Sequence, residues 1–439
     1  GPVETATAKE STGCIVAGAG PAGMMVAYLL ARSGVKVTLL ESHKDFQRKF
    51  RGDTLSPAIL DLMDQLGLAE ELLELPHAKA TGLVWHMPGK EYHLLDYGSS
   101  SKKFPFMAVI SQPRFLDFLA GKAAAFGTFD LRLGAKVSQL VRDDAGRVVG
   151  VSYRDGTGAD HELLAPLVIG ADGRFSKLRQ LSGITTREVG VGNDLLWFQV
   201  PRFVDTDPWL CGFDLFSDGR GLGAVLNHDT NWQIGYAIPV GTVGAARERG
   251  VEPIRQFIKN TLPWLGERAD ALTDFNQLTL LSIRITQMDT WSIPGLVLIG
   301  DAAHVISPVG GYGIGLAIAD AVEAANVLHP VLLAGAGESA LDEACATIEA
   351  RRRPVVEDRQ AFQARLEARN NKVRARAMAR LASGRPNKRG GPRPSREERI
   401  AGRFSLLRKW VGRRATLAVR MPVPILPTVP DRDLTTAST

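Results

Sequence analysis

Gly18-Ala19-Gly20-Pro21-Ala22-Gly23 and Glu41 are the residues whose types and spacing most plainly imply chemistry. A Gly-x-Gly-x-x-Gly turn between a strand and a helix binds the pyrophosphate of a dinucleotide. Gly18 permits the tight turn, Gly20 lets the backbone approach the phosphates, and Gly23 lets the helix pack closely on the sheet. The helix opened by Pro21 and Ala22 offers unpaired N–H groups and the positive end of its dipole. Glu41 lies 23 residues after Gly18. A carboxylate there accepts hydrogen bonds from ribose hydroxyls and repels a 2′-phosphate. The site therefore suits an ADP group without that extra phosphate.

Two further clusters place an aspartate just after an apolar run. One is Ile169-Gly170-Ala171-Asp172-Gly173 with Ser176 and Arg179. The other is Ile299-Gly300-Asp301-Ala302-Ala303-His304, leading into Pro308, Gly310, Gly311 and Gly313. An acidic group in such a turn can grip sugar hydroxyls. The glycine run ending at Gly315 opens a helix expected from Leu316 onward, whose N–H groups would face whatever lies at that end. His304 reads as a structural group. No catalytic base stands out, and no metal site is expected from three widely spaced cysteines, Cys14, Cys211 and Cys345.

The elements that must position these clusters follow from periodicity. Residues 13–18 read as a buried strand, 21–33 as a helix with Met24, Ala27, Tyr28 and Leu30 at helical spacing, and 35–40 as a second strand. This is the strand–helix–strand unit of a parallel sheet. Residues 53–75 and 112–126 predict helices, 82–111 strands, 131–169 a meander and 193–240 a second strand-rich block. Hairpin turns are expected at Asp218-Gly219 and Asp229 to Asn231. Strands at 279–290 and 296–299 precede helices at 316–329 and 340–369.

Taken together, the three clusters resemble those of the para-hydroxybenzoate hydroxylase-like (group A) family of single-component FAD-dependent monooxygenases, in the branch that contains the ubiquinone-biosynthesis hydroxylases. Arg51-Gly52-Asp53-Thr54 and Gln112-Pro113 also resemble family patterns, and the resemblance covers about residues 12–370. It implies an α/β fold: an FAD-binding, Rossmann-like (glutathione-reductase-type) parallel sheet interleaved with a mixed, largely antiparallel β-sheet substrate domain, plus C-terminal helices. It implies FAD held along its length by the first motif and Asp301, with Arg51 and Gln112 touching it. Asp172 would lie near the pyrophosphate and the path of NADH or NADPH, and Gly300, Pro308, Gly311, Gly313 and Ile314 would complete the cofactor set. A helix N-terminus beside a reduced flavin stabilises its negative charge by roughly 0.3–2 kcal/mol. Two positions depart from the family pattern: Gly315 stands where an Asn is usual, and Phe175 where a polar residue is common.

The reaction so implied is hydroxylation of a small aromatic or otherwise apolar substrate by O2 and NAD(P)H, through a flavin C4a-hydroperoxide. The cofactor carries the hard chemistry and the protein supplies orientation and a dry site. A single dinucleotide fingerprint means that the nicotinamide reductant binds transiently. Candidates to line the substrate pocket are Trp197, Phe213, Phe216, Tyr236 and Met107, with Tyr312 inside the glycine run. Two other readings stay open: a flavoprotein dehydrogenase or reductase on the same fold, and a non-redox cyclase or binding protein that retains FAD.

The chain of 439 residues then divides into an FAD-binding domain (12–75, 112–185 and 291–330), a substrate domain (76–111 and 186–290) and a C-terminal helical region (331–420). A basic stretch, 370–398, is expected to be mobile. The net charge of +6 is local: residues 371–420 hold 16 Lys+Arg and 2 Glu, which leaves 37 basic against 45 acidic residues elsewhere. A nucleic-acid partner is therefore not expected. Residues 404–420 could form a basic amphipathic helix able to touch an anionic membrane. The initial Gly-Pro reads as a protease-cleavage scar, and the cysteine usage points to the cytoplasm.

Overall fold

The computed structural model describes residues 9–47, 54–218, 221–228, 230–306 and 312–382, with single positions 396, 406 and 422. The chain opens with β1 (Glu10–Ser11), β2 (Cys14–Ala17), α1 (Pro21–Arg32) and β3 (Val37–Glu41). It continues through β4 (Thr54–Leu55), α2 (Pro57–Gln65), α3 (Ala69–Glu74), β5 (Ala78–Ala80), β6 (Gly82–Met87), β7 (Lys90–Asp96), β8 (Met107–Val109) and α4 (Gln112–Ala123). Next come β9 (Phe129–Leu133), β10 (Lys136–Arg142), β11 (Val148–Arg154), β12 (Asp160–Leu164), β13 (Val168–Gly170) and α5 (Lys177–Ser182). The strand-rich block holds β14 (Thr186–Pro201), β15 (Gly212–Ser217), β16 (Leu222–His228) and β17 (Asn231–Ile238), followed by α6 (Val243–Arg249) and α7 (Glu252–Thr261). Last are β18 (Thr279–Met288), β19 (Ser292–Ile293), β20 (Leu296–Leu298), β21 (His304–Val305), α8 (Tyr312–Ala334) and α9 (Glu338–Ala382).

Six strands form the sheet β19-β20-β13-β2-β3-β9, parallel except at the β19 edge. Strands buried on both faces need apolar side chains at every position. β2, β3, β13 and β20 are buried at every residue, and β3 departs from the apolar run only at Thr38, whose hydroxyl donates to Thr12 Oγ1 at 3.0 Å, and at Glu41. Helix α1 goes further than its expected apolar stripe. Met25, Val26 and Leu29 are as buried as Met24 and Leu30, because α4 and α8 pack against it as well as the sheet. Each such large side chain contributes about 1.5–3 kcal/mol of burial.

The region 131–169 is split among sheets. β9 and β13 belong to the parallel sheet, and β10–β12 join β1 in a four-stranded sheet. The larger sheet has eight strands in the order β21-β18-β14-β17-β16-β15-β6-β7, antiparallel except where β15 runs parallel to β6. Helices α6 and α7 cover one of its faces. A three-stranded sheet, β4-β8-β5, packs against β15 and β16.

Helix α9 corrects one expectation. It runs on to Ala382, so residues 370–382, expected to be mobile, are helical. Ala, Arg, Met and Leu dominate that stretch and are strong helix formers, and the first glycine after them is Gly384. Most of the rest of the basic stretch, and almost all of 404–420, lie outside the described residues. The N-terminal half of α9 is tied down by Arg147, whose Nη1 donates to both oxygens of Asp342 at 2.9 Å, and by Gln360, whose amide donates to the carbonyls of Thr286 and Val305 at 2.7 and 2.9 Å. Helix α8 starts at Tyr312, four residues before the expected Leu316, so Gly313 and Gly315 lie in its first turn. Its Ile314–Ala334 stretch is long and apolar enough to cross a membrane by length and composition, yet it is mostly buried inside the protein.

Candidate active site

The three motifs converge because their strands are neighbours. Ala17 is in register with Gly170, and Gly170 with Leu298, so the turns after β2, β13 and β20 leave one edge of the sheet side by side. In open parallel sheets ligands bind at this carboxyl-terminal edge. Ala171 N–H still donates to Ala17 (2.8 Å) and Ile299 N–H to Gly170 (2.9 Å), which carries the ladder up to the turns.

Each glycine of the first motif has a distinct structural reason. Gly18 has φ +100°, and a Cβ there would meet the Ala171 carbonyl oxygen at 2.3 Å. At Gly23 a Cβ would stand 1.6 Å from the Gly18 carbonyl oxygen, so only glycine lets α1 close on the turn. Gly20 is different: a Cβ there would meet nothing within 4 Å. It is the N-cap of α1 and no side chain caps that helix, so the free N–H groups open onto space the protein leaves unfilled. That is the cradle a pyrophosphate needs.

Glu41 closes the cradle from β3. Its Oε1 accepts from Ala19 N–H at 3.1 Å, and its Oε2 accepts from His43 N–H at 2.8 Å. The carboxylate is thereby aimed and held at 6% exposure. Ser42 Oγ also donates to Oε2 at 3.3 Å, and the His43 ring nitrogen Nδ1 lies 3.0 Å from it, so the carboxylate is fixed at the end of β3 beside the turn.

Asp172 is engaged mainly in its own loop. Ser176 Oγ donates to Oδ1, and Leu178 N–H donates to Oδ2 at 3.1 Å. Ser176 in turn caps α5 through Arg179 N–H at 3.0 Å. Burial pushes the Asp172 carboxyl above its usual range, against the pull of these hydrogen bonds. A group raised in the folded state opposes folding as pH climbs past its unfolded value. Thermal melts of Asp172→Asn should therefore improve relative to the parent as pH rises from about 4 to about 8. A difference that stays flat across that range would contradict this reading.

Arg179 links the second motif to the third: its guanidinium donates to Ala302 O at 3.3 Å and to Arg174 O at 2.9 Å. Gly300, at φ +62°, is pressed against α1, where a Cβ would lie 2.9 Å from the Ala22 Cβ. All three motifs thus touch one another. Asp301 follows in the same single 3₁₀ turn, Gly300–Ala302.

Beneath that turn lies a buried ionic group that sequence reasoning missed. Asp320 on α8 takes Gly300 N–H at 2.9 Å and His304 Nε2 at 2.5 Å on one oxygen, and Arg352 Nε at 2.8 Å on the other. Burial alone would raise the Asp320 carboxyl, but the facing His304 and Arg352 hold it below the ordinary range. The available signal was a lone aspartate in the apolar run Ile314–Val322. His304, expected to be a structural group, is buried at 2% exposure against Asp320.

On the substrate side the candidate aromatics separate. Residues directly opposite across a sheet share a face. Trp197 is paired with Gly235, and Gly235 with Ala224. Its ring lies over Gly235, where a Cβ would be 2.7 Å away. Phe216, Gly223 and Tyr236 form the adjacent row and point to the other face, beneath Phe257 of α7. Phe216 stacks on His86 at 4.4 Å and Tyr236 meets the Phe257 ring edge-on at 5.1 Å. These two therefore lie on the face that α7 covers, separated from Trp197 by the one-residue alternation of a strand. Tyr236→Leu should lower thermal stability and leave the substrate KM within about twofold; a large KM change with unchanged stability would restore it to the pocket.

Phe213 is paired with Leu226, and Met107 clusters with Leu226 and Tyr97 on the Trp197 side. Gln112 is buried at the start of α4, three residues beyond β8. Ile314 is buried in α8, and Tyr312 and Gly313 belong to its first turn. Arg51, Pro308 and Gly311 lie outside the described residues.

Comparison with known proteins agrees with this geometry. Residues 11–362 match the family described as FAD binding domain. The chain is 33% identical over 349 residues to 6-methylpretetramide 4-monooxygenase of Streptomyces rimosus, covering 78% of this chain and 80% of that one. It is 29% identical to rifampicin monooxygenase of Streptomyces venezuelae, over 78% of this chain and 68% of that protein. In fold it is similar to P. aeruginosa PqsL in complex with 2-aminobenzoylacetate, with a TM-score of 0.70 at 21% identity, over 85% of this chain and all of that one. The chain belongs to the FAD binding domain family and is an FAD-dependent monooxygenase of the para-hydroxybenzoate hydroxylase-like type.

Proposed function

We propose that this monooxygenase hydroxylates a flat, fused aromatic substrate of the polyketide type, laid on the Trp197 face of the eight-stranded sheet. Its relatives include a 6-methylpretetramide 4-monooxygenase, an anhydrotetracycline 6-monooxygenase and a pentachlorophenol 4-monooxygenase. The resemblance of the motifs alone points to the ubiquinone-biosynthesis branch; the polyketide relatives favour the fused-ring reading. The observation that carries it is the row Leu215, Ala224, Gly235 and Trp197, where the indole lies against Gly235 and packs with Ala224 and Leu281. Fused rings stack well on such a surface.

FAD, when bound, supplies the redox and oxygen chemistry. The protein's residues do the rest. The Gly18–Gly23 turn and Glu41 would hold the ADP half, the loop of Asp172 and Arg179 stiffens the neighbouring turn, and the first turn of α8 would offer its free N–H groups to the ring system. Gly300, Asp301, Ile314, Gln112, Arg51, Pro308, Gly311 and Gly313 complete the proposed cofactor contacts. We take residues 76–111 and 186–290 as the substrate side and the remainder up to 330 as the cofactor side. The unpaired cysteines suit a cytoplasmic setting.

The overall balance is one O2 and one NAD(P)H consumed per C–H bond converted to C–OH, with the second oxygen atom leaving as water. With heavy-isotope O2 and an aromatic substrate, one labelled atom should enter the product. Product formed with the reductant consumed and no label would replace this reading with a dehydrogenase; product formed without reductant would replace it with a non-redox enzyme.

A further inference from the structure

Gln233 is one of the buried polar side chains on the Trp197 face, with Trp85 and Ser217, that carry an atom without a hydrogen-bond partner among the described residues. Gln233 on β17 is 5% exposed, and its Oε1 is buried with no hydrogen-bond partner among the described residues. It lies across from Leu226 on β16 and Gln199 on β14, two residues from the Gly235 that seats Trp197. Leu226 clusters with Met107 of β8, three residues before the helix opened by Gln112. Gln233 therefore sits at the junction of the two sheets, on the face assigned above to substrate. Buried polar groups in proteins are nearly always paired, and one left unpaired in the protein alone calls for a partner from outside it.

We propose that Gln233 is a specificity-determining residue, whose Oε1 accepts a hydrogen bond from a hydroxyl group on the substrate. This rests on the fused-aromatic reading and sharpens it: the preferred substrate carries a phenolic or alcoholic O–H at the end of the ring system that lies near Met107. Shape alone selects for flat rings. An acceptor in a closed apolar surface selects against rings that lack the donor, because the buried oxygen then stays unpaired.

The test uses the FAD-loaded full chain and two probes, alizarin, which bears phenolic hydroxyls, and unsubstituted anthraquinone, with binding followed by calorimetry. Gln233→Leu and the near-isosteric Gln233→Met are compared with the parent, after FAD content and melting temperature have shown which variants are folded. The parent should bind alizarin at least ~10-fold more tightly than anthraquinone, and both variants should bring that ratio close to one. A merely structural role for Gln233 would weaken both probes alike and leave the ratio unchanged, as would satisfaction of Oε1 by a fixed water; either result overturns the assignment while the fused-aromatic reading stands. Failure of the parent to bind either probe overturns both.

Discussion

Gly20→Asp should give a folded protein that carries no flavin. Gly20 is the one glycine of the motif beside which a side chain finds open space, so the substitution meets no clash in the protein itself. What it places there is a negative charge at the mouth of the α1 N-terminus, where the pyrophosphate must lie. Two unit charges at ~5 Å repel by about 3 kcal/mol at an effective dielectric near 20, which corresponds to a loss of roughly 100-fold or more in affinity. The substituted carboxylate also occupies the free N–H groups and even favours the helix by its dipole. Melting temperature in the absence of FAD should therefore hold or rise slightly while bound flavin per chain collapses. Gly23→Ala is the control with the opposite signature: a Cβ 1.6 Å from the Gly18 carbonyl oxygen must displace either the turn or α1, so stability falls together with binding. If Gly20→Asp bound FAD as the parent does, the cradle would lie elsewhere.

Asp320→Ala should be the most damaging single substitution for the fold. It removes the shared partner of His304 and Arg352, both at most 3% exposed, and the acceptor for Gly300 N–H. Breaking a buried ionic group by deleting one member costs about 3–5 kcal/mol, because the remaining charge stays buried. At about 2.1 cal/mol/K of unfolding entropy per residue, each kcal/mol lowers the melting temperature of a chain of 439 residues by about 1 °C, so a fall of roughly 3–5 °C is expected. The pH dependence has a definite sign. The Asp320 carboxyl is held below its ordinary range, so its contribution is complete above the unfolded value of about 4 and fades as pH falls through the folded value. Melts of the parent and the variant should therefore converge in acid and separate at neutral pH. Equal melting temperatures at neutral pH would show that the group does not hold the Gly300 turn in place.

Much of the cofactor half was legible in the sequence because its constraints are local. The Gly18–Gly23 turn, α1 and Glu41 lie within one strand–helix–strand unit, where glycine spacing and apolar periodicity fix both backbone and role. The other two motifs were legible as turns after apolar strands, but their adjacency depends on the strand order β20-β13-β2, which spacing does not encode. Asp320 and Arg352 were missed for the same reason: they are brought to His304 by the packing of α8 and α9. The strand-rich block poses a different difficulty. Trp197, Phe216 and Tyr236 are all aromatic strand residues, and composition cannot separate two faces when register is unknown. A shift of one residue moves a side chain from one face to the other. Gln233, adjacent to Trp232 in a strand otherwise read for its aromatics, attracted no notice until burial showed its oxygen without a partner.

Flavin chemistry in this protein requires the ADP half of FAD to lie between the α1 N-terminus and Glu41. Its most direct test is titration of the flavin-free protein with FAD, with FMN and with FAD in the presence of excess ADP. The structure predicts saturation by FAD at one per chain, negligible binding of FMN, which lacks the ADP group, and competition by ADP. Equal binding of FMN and FAD, with no effect of ADP, would contradict it.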